Sequence, residues 1–498
     1  MRSVTPASRI RALNDAPVRP DCAVVLYWMI AARRLHGSFA LDHAMARARE
    51  LGRPLVILEP LRAGYRWAND RLHRFVIDGM AAHTRALAGT PVTYLPYVEA
   101  APGDGRGLLR ALAAQAAVVV TDDYPCFFLP RMTAAAAAQI DVRLEAIDGN
   151  GVLPMRGTDR TFPTAYAFRA HLQREFRDAM RAWPSDPDFD DLPARWHPPA
   201  SLLARWPMAE PDALTSPDAL IGGLPIDHKV APAAIRGGGP AARQALARFV
   251  DEALPRYAED QKHPDLRGTS RLSPYLHFGH LGAHEVFAAV MRAEGWTSRR
   301  LAERGGGARA GWWGASPGAE AFLDQLITWR ELGFNMCATR PDDYDRYDSL
   351  PDWARRTLGD HGSDPRTWTY TPDEFERART HDDVWNAAQR QLVRDGWMHN
   401  YLRMLWGKKI LEWTPDPHAA LETMIAVMNR WALDGRDPNS YTGYLWTLGR
   451  YDRPWAPSRP IFGTVRYMSS DNTKRKLKMK GYLAAYGAQG QGALEMGD

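Results

Sequence analysis

The chain has 498 residues, of which 45% are hydrophobic and 24% charged, which is an ordinary composition for a soluble globular protein. This length exceeds what one hydrophobic core usually holds, so we expect two domains. The net charge of +5 is small for the length, and it permits a polyanionic partner without requiring one.

The cysteines and the N-terminal residues indicate the cellular compartment in which we expect the protein. Cys22, Cys126 and Cys337 lie far apart, in no spacing typical of a zinc or iron–sulfur site, so we predict no metal. Sparse thiols fit a reducing cytoplasm, and the composition is of bacterial type. No apolar run has the length of a membrane span, and residues 1–20 lack the apolar region of a secretory signal. We expect a cytoplasmic protein whose first 20 residues are a disordered arm.

The first part of the chain alternates short apolar segments with amphipathic ones. Such apolar strands separated by helices predict a parallel, doubly wound, Rossmann-like α/β sheet. No G-x-G-x-x-G follows the first strand, which disfavours a plain dehydrogenase. The predicted strands are Ala23–Trp28, Pro54–Leu58, Val92–Tyr97, Ala117–Thr121 and Val142–Ile147, and the predicted helices include Ser38–Leu51 and Arg71–Leu87.

The rest of the chain changes character twice. From about Arg181 to Gly239 it is rich in Pro, Asp, Ala and Gly, which is typical of a connector. After Gly239 the apolar residues recur at helical spacing almost throughout, which predicts an all-α domain. We therefore predict a disordered arm (1–20), an α/β domain (21–155), an interdomain connector (156–240), an α-helical domain (241–485) and a flexible tail (486–498).

A Ser/Thr-rich motif, TSRLSPYLHFG, begins at Thr269. Hydroxyl groups and free backbone N–H groups ahead of a helix form a nest that binds anions, and Pro274 suits the first turn of that helix. In so short a pattern, a Ser helix cap without a ligand is the more common explanation.

A Trp-rich segment, WNAAQRQLVRDGWMHNYLRMLWGKKILEW, precedes the stretch LDGRDPN. Indole rings pass electrons, and an Arg/Asp pair binds a polar head group or a ring nitrogen, so the combination fits a buried redox cofactor. On Trp content alone, the aromatic core of a helical domain explains the segment better. The rings are Trp385, Trp406 and Trp413, and the charged residues beside them include Arg403 and Asp434.

Taken together and in order, these motifs resemble the photolyase and cryptochrome family, and most closely its class II cyclobutane pyrimidine dimer photolyases. The resemblance is strong over about Ala241–Tyr482 and weaker over the N-terminal part. It implies that the helical domain binds FAD and carries the chemistry. It also implies that the α/β domain is the antenna domain, which holds a deazaflavin, a folate, a flavin such as FMN, or no chromophore.

The resemblance also assigns residues to the cofactor. It pairs Arg403 with Asp434 close to the flavin N5 edge, and it makes Trp406, Trp385 and Trp413 an electron-transfer chain with Trp406 nearest the flavin. The FAD contacts that it implies are Tyr257, Thr269, Ser270, Arg271, Leu272, Ser273, Gln325, Trp329, Arg403, Met428, Asn429, Asp434, Gly435 and Asp437.

A third group of residues concerns damaged DNA. By the same resemblance Gln325, Trp329, Met404 and Trp446 lie at the lesion pocket, and basic residues near the C-terminus contact the DNA backbone. A solvated surface is the ordinary explanation for such a charge run. The candidate phosphate contacts are Lys408, Lys409, Lys474, Arg475 and Lys476.

Two positions depart from the class II pattern. Gln325 stands where repair enzymes of this class carry Glu, and an amide cannot donate a proton as a carboxylic acid does. Met428 stands at the position of an Asn that faces flavin N5, and Asn429 follows one step later. One residue turns a helical side chain by about 100°, which puts in question whether Asn429 substitutes for that amide.

We accordingly expect a deoxyribodipyrimidine photo-lyase, a monomer that repairs pyrimidine dimers in damaged DNA by light-driven electron transfer from reduced FAD. Repair enzymes are the commoner members of this branch, which favours that function. A cryptochrome-like blue-light sensor is the alternative, and Gln325 and Met428 favour it. A (6-4) photolyase is a third option, for which His277, His280 and His399 are the available acids.

Overall fold

A computed structural model describes residues 5–488. The chain forms two compact units, each assembled from several segments. The first unit comprises the chain up to Asp159, Glu175–Ala247 and Leu272–Ala289, and the second comprises Arg160–Arg174, Arg248–Arg271 and the chain from Val290 onward. Of the five parts expected from the sequence, the last four stay predictions.

The first unit contains a six-stranded sheet in the order β1-β6-β5-β2-β3-β4. The five strands β2–β6 run parallel, which confirms the predicted α/β class, and β1 is antiparallel to β6. The strands are β1 (Ile10–Ala12), β2 (Val24–Trp28), β3 (Leu55–Leu61), β4 (Thr93–Val98), β5 (Ala116–Asp122) and β6 (Leu144–Ile147).

Strand β1 corrects the prediction of a disordered arm over residues 1–20. Its backbone pairs with β6, and the guanidinium of the preceding Arg9 donates to the carbonyl oxygens of Asp148, Gly151 and Val152. These bonds fix a polar segment that lacks the apolar pattern by which the other strands are found.

Side-chain alternation along the strands creates a separate core on each face of the sheet. In β2, Val24, Leu26 and Trp28 belong to one cluster of buried apolar residues, and Val25 and Tyr27 belong to the other. Because both faces are covered, β2 is buried along its whole length. This double burial is why the predicted strands appear in the sequence as continuous apolar runs.

Helices occupy most of the remaining chain, and no helix among the described residues is both long enough and apolar enough to cross a membrane. In the N-terminal half they are α1 (Phe39–Leu51), α2 (Asp70–Leu87), α3 (Leu108–Ala113), α4 (Leu129–Ala137), α5 (Ala165–Ala179), α6 (Ala200–Arg205), α7 (Pro211–Thr215), α8 (Asp218–Gly222) and α9 (Gly239–Arg248).

The C-terminal half is helical, as predicted. Two π-helical segments interrupt it, Phe249–Ala253 and Asp324–Trp329. The flexible tail predicted over 486–498 lies, from residue 489 on, outside the described residues. The helices are α10 (Tyr257–Asp260), α11 (Ser273–His277), α12 (Ala283–Ala293), α13 (Pro317–Leu323), α14 (Arg330–Thr339), α15 (Asp352–Asp360), α16 (Pro372–Glu376), α17 (Asp383–Asp395), α18 (Asn400–Trp413), α19 (Pro417–Trp431), α20 (Pro438–Thr447), α21 (Ser470–Lys476) and α22 (Lys480–Tyr486).

Candidate active site

The three predicted chain tryptophans are in contact. Trp406 on α18 and Trp385 on α17 stack almost parallel, with ring centroids 6.2 Å apart and planes 7° apart. Trp385 meets Trp413, at the end of α18, at 6.0 Å and 66°. All three rings are at most 3% exposed. The order Trp406, Trp385, Trp413 is therefore a continuous path of buried indoles.

Hydrogen bonds hold the first two rings in place. The Trp385 indole N–H donates to the carbonyl oxygen of Trp406 at 3.0 Å, and the Trp406 indole N–H donates to Gln389 Oε1 at 2.9 Å. Gln389 itself donates to the carbonyl oxygen of Glu376. Because each buried indole N–H has a partner, the stack combines close packing with satisfied polar groups.

The predicted Arg/Asp pair forms beside this stack. One terminal nitrogen of Arg403 lies 3.0 and 3.1 Å from the two carboxylate oxygens of Asp434. Arg403 Nε is buried and has no hydrogen-bond partner among the described residues. A buried N–H of a charged group without a partner is costly, so an acceptor, either a water or a ligand atom, belongs beside it.

The turn that carries Asp434 is built by close backbone packing. A Cβ on Gly435 would lie 2.6 Å from the carbonyl oxygen of Met428, so only glycine fits there. The Arg436 guanidinium donates to the carbonyl oxygens of Asn429, Ala432 and Leu433, which end helix α19. These contacts fix the turn against the end of α19.

The predicted FAD contact Asp437 caps the next helix. Its carboxylate accepts from the backbone N–H of Asn439 at 2.9 Å and forms the N-cap of α20. This helix-capping bond accounts for an acid at this position, and any contact with FAD stays a prediction.

Asn429 is engaged within the protein. Its side-chain oxygen accepts from the backbone N–H of Arg436 at 2.8 Å and from the Tyr444 hydroxyl at 3.3 Å, and its NH₂ group donates to the Tyr441 hydroxyl at 3.4 Å. The neighbouring Met428 is buried and brings no amide. These bonds use the Asn429 oxygen twice and its NH₂ group once.

Gln325 and Trp329 lie in the π-helical segment that joins α13 to α14. They are partly exposed, whereas Asp324 and the residues between them are buried. Single π turns within α-helices often occur at functional sites, because they re-aim side chains. The helix approaches the Asp434–Asp437 turn closely, since a Cβ on Gly333 would lie 2.9 Å from the backbone of Pro438.

The Ser/Thr-rich segment differs in detail from its prediction. Leu272 occupies the N-cap position of α11, and Ser273 and Pro274 form its first turn. Thr269 and Ser270 are half-buried, and the exposed Arg271 has a positive φ of 54°. The ring of Tyr257, upstream, packs edge-on against Phe249 and Phe322.

The second unit also contains a cavity of about 590 Å³, one wall of which is formed by α18. Met404 and Trp446, which were predicted to lie at one pocket, both line this cavity, together with Trp455 and Arg466. The Arg466 guanidinium lies over the Trp455 ring at 4.0 Å and is 2.8 Å from Asp452. Burial opposes charge on Asp452, but bonds from Arg466 and Trp455 prevail and hold its pKa below the usual value.

Two predicted phosphate contacts are wrong. Lys408 is fully buried, its ammonium donates to the carbonyl oxygen of Thr447 at 2.6 Å, and burial lowers its pKa to about 7. Lys409 is also buried and pairs with Glu412 at 2.6 Å. Both follow Trp406 on the packed part of α18, so neither ammonium is free to meet a phosphate.

The remaining basic candidates occupy a different environment. Lys474, Arg475 and Lys476 are exposed in the last turn of α21, and the latter two line the cavity. Their role as phosphate contacts stays a prediction.

Some residues of the cavity and of the indole stack were not predicted from the sequence. Arg466 and Trp455 wall the cavity, and Gln389 orients Trp406. The sequence did contain a signal for the first two, because WAPSRPIFGTVRYM concentrates aromatic and basic residues just before α21. Gln389 shows no such signal, since its role depends on the packing of α17 against α18.

Curated relatives decide the family. The deoxyribodipyrimidine photo-lyase of Methanothermobacter thermautotrophicus is 31% identical over 490 residues, covering 96% of this chain and 97% of the relative. The chain belongs to this photolyase family. The rice enzyme of the same name (Oryza sativa subsp. japonica) is 32% identical over 497 residues, covering 96% of this chain and 90% of that one. No protein-family model matches the chain.

Solved photolyase structures share the fold. A bacterial class III photolyase from Agrobacterium tumefaciens aligns with a TM-score of 0.65 and 19% identity, covering 94% of this chain and 86% of its own. An archaeal photolyase from Sulfolobus tokodaii with two FAD molecules aligns with a TM-score of 0.60 and 13% identity, covering 94% and 90%. At these identities the likeness establishes the photolyase architecture and no residue roles.

Proposed function

We propose that the protein is a blue-light-driven, FAD-dependent DNA photolyase that repairs cyclobutane pyrimidine dimers. One observation carries the proposal: helix α18 connects a cavity to an electron path. Met404 on α18 lines the cavity, Arg403 beside it pairs with Asp434, and Trp406 starts the indole stack. Substrate, cofactor and electron supply would thus meet on one rigid element.

The residues present fit a bound flavin. Arg403 has an unused buried N–H, and Gln325 and Trp329 are the partly exposed side chains of an otherwise buried π segment. Bound FAD would supply light absorption and one-electron chemistry. Around it, Asp434 would hold Arg403 in place, and the buried indoles would deliver electrons while excluding water.

The cavity suits a base that leaves the DNA stack. Trp446 and Met404 offer apolar surface, and Arg466, fixed by Asp452 and Trp455, offers a preorganised cation. Flipping a base costs a few kcal/mol, and least where pairing is already damaged, which favours lesions over normal DNA. The exposed cations of α21 beside this opening would supply the salt-dependent part of the affinity.

We also propose a place for an antenna chromophore in the first unit. A cavity of about 480 Å³ lies at the carboxyl ends of parallel strands, where α/β sheets bind ligands. Trp28, Tyr97 and Leu58 give it apolar walls, and Arg62 and Arg106 add positive charge. The apolar walls suit a flat ring system such as a deazaflavin, a folate or a flavin.

A blue-light sensor is the second candidate, and the state of Asn429 favours it. Its oxygen is held by Arg436 and Tyr444 and one N–H by Tyr441, and Met428 brings no amide to a polar cofactor edge. Such a site holds the fully reduced flavin less well than repair requires.

The third candidate, a (6-4) photolyase, requires an acidic imidazole. Burial lowers the pKa of His280 to about 3 and that of His399 to about 4, so both are neutral at physiological pH. Their neutral state leaves His277 as the acid that this candidate would require.

The deciding experiment is a repair assay on purified, flavin-containing protein under blue light with a reductant. Two oligonucleotides are compared, one with a cyclobutane dimer and one with a (6-4) product, and Trp406→Phe is the matched variant. Light-dependent restoration of the cyclobutane dimer alone is expected. Photoreduction without repair of either lesion would contradict the proposal and favour the sensor.

A further inference from the structure

The outermost indole of the predicted electron path is closed to solvent. Trp413 is 3% exposed, so a dissolved reductant cannot contact its ring. Each electron that the indoles pass to the flavin must nevertheless be replaced by a reductant in solution. A buried end therefore calls for a further group that connects Trp413 with solvent.

Two rings in contact with Trp413, those of Tyr370 and His381, and the Trp368 ring beyond His381 reach the surface, and we call these three residues the exit patch. The His381 ring lies 5.0 Å from that of Trp413, and Trp368 stacks on His381 at 4.6 Å and 21°. Trp368 is 49% exposed. One imidazole thus separates the buried end of the path from an indole in water.

The exposure of Trp368 is unusual for its size. Among the described residues, Trp368 and Tyr166 are the large apolar side chains that are exposed. Leaving an indole half in water forgoes the stabilisation that burial of its apolar surface would give. Its stacking on His381 keeps the ring ordered in that position.

The local electrostatics favour movement of positive charge toward Trp368. An oxidised indole is a cation, which a buried, low-dielectric site destabilises and water stabilises. At Trp413 the Lys409 ammonium lies 5.4 Å from the ring centroid, which adds repulsion that Glu412, 2.6 Å from Lys409, partly offsets. An electron therefore passes from Trp368 to oxidised Trp413 with a favourable change in free energy.

We propose that Trp368 is the solvent-facing end of the electron path, with His381 as the positioning residue that bridges it to Trp413. The proposal rests on the proposed photoreduction, which leaves Trp413 one electron short. Trp368 gives that electron to Trp413 and releases its indole proton to water, which leaves a neutral indole radical. A small thiol then returns one electron and one proton, and two thiyl radicals combine as a disulfide.

Tyr370 is the competing end point. Its ring lies 5.6 Å from that of Trp413, and its hydroxyl lies 2.6 Å from His381 Nδ1. It is less exposed than Trp368, and it must lose its proton to His381 when it is oxidised. The two end points leave radicals with different absorption spectra.

Laser-flash transient absorption of the flavin-containing protein distinguishes these routes. The variants are Trp368→Phe, Tyr370→Phe and, as a control, Tyr166→Phe, which changes the other exposed aromatic ring. Circular dichroism and flavin content verify that each variant is folded and loaded. We expect a neutral indole radical in the wild type, and its decay to accelerate with dithiothreitol concentration.

In Trp368→Phe we expect the thiol-dependent rate constant to fall by about tenfold or more, because the remaining indole radical is buried. Tyr370→Phe and Tyr166→Phe should decay as the wild type does. A tyrosyl radical in the wild type, or an unchanged thiol dependence in Trp368→Phe, would overturn the proposal while the photoreduction stands. Absence of any flash-induced indole radical in the wild type would overturn the proposed electron path itself.

Discussion

Trp406 is the residue on which the electron path depends most. It stacks on Trp385 and donates to Gln389, and it is next but one to Met404 on α18. We expect Trp406→Phe to slow photoreduction of bound FAD by about tenfold or more, since phenylalanine is much harder to oxidise than tryptophan. Anaerobic illumination with absorption spectroscopy measures the rate.

The substitution also leaves the Gln389 side-chain oxygen without its donor, which costs about 1–3 kcal/mol of stability. Flavin content and thermal unfolding are therefore measured in parallel. Trp431→Phe is the matched control, because Trp431 lies on α19 and donates to Glu376, outside the stack. Undiminished photoreduction in Trp406→Phe would remove Trp406 from the path.

Met428 is the residue on which repair and signalling diverge. We expect Met428→Asn to lengthen the lifetime of reduced FAD in air, because an amide offers the hydrogen bond that Met lacks. Met428→Leu, similar in volume but without an amide, should reoxidise as the wild type does. Equal reoxidation rates in all three proteins would show that position 428 does not face the cofactor.

At the scale of single residues, sequence reasoning succeeded where a motif implied a specific partner. The pairing of Arg403 with Asp434 is confirmed, because a guanidinium largely removed from solvent needs a carboxylate partner. It failed for Lys408, since the presence of a basic residue in the sequence says nothing about its burial. The ammonium of Lys408 is enclosed by the packing of α18 against α20, which only the tertiary structure specifies.

At the scale of elements, a lysine on α21 and a lysine on α18 should differ in their contribution to DNA binding. We expect Lys476→Met to reduce the slope of log K against log salt for DNA binding by about 0.9, because an exposed cation on α21 releases one counterion. Lys408→Met should leave the slope unchanged, since Lys408 is buried on α18. Binding titrations with duplex DNA at several salt concentrations measure both slopes, and a drop for Lys408→Met would contradict its burial.

Elements with strong local patterns were predictable, and those fixed by tertiary contacts were not. The observed bounds of β2–β6 lie within about three residues of the predicted strands, because strands buried on both faces require apolar runs. Strand β1 has no such run. The π segment around Gln325 was also not predictable, because the extra residue in its turn depends on the neighbouring helices and has no signature in the sequence.

Over the whole molecule, buried neutral imidazoles make stability depend on pH. Burial lowers the pKa of His73 to about 4, of His280 to about 3 and of His399 to about 4, each below the ordinary value of 6.5. As pH falls below about 6.5 the unfolded chain binds protons that the folded protein does not accept. The free energy of unfolding should therefore decrease by about 1.4 kcal/mol per pH unit for each imidazole.

This loss should begin near pH 6.5 and continue toward pH 4, where the folded forms of His73 and His399 start to take up protons themselves. Urea unfolding followed by Trp fluorescence across this range measures the slope. His280→Gln provides the test, because an amide oxygen can still accept from the Gly238 backbone N–H but does not titrate. Its slope should be smaller than that of the wild type by about 1.4 kcal/mol per pH unit. An unchanged slope would mean that the His280 imidazole becomes protonated while the fold remains intact.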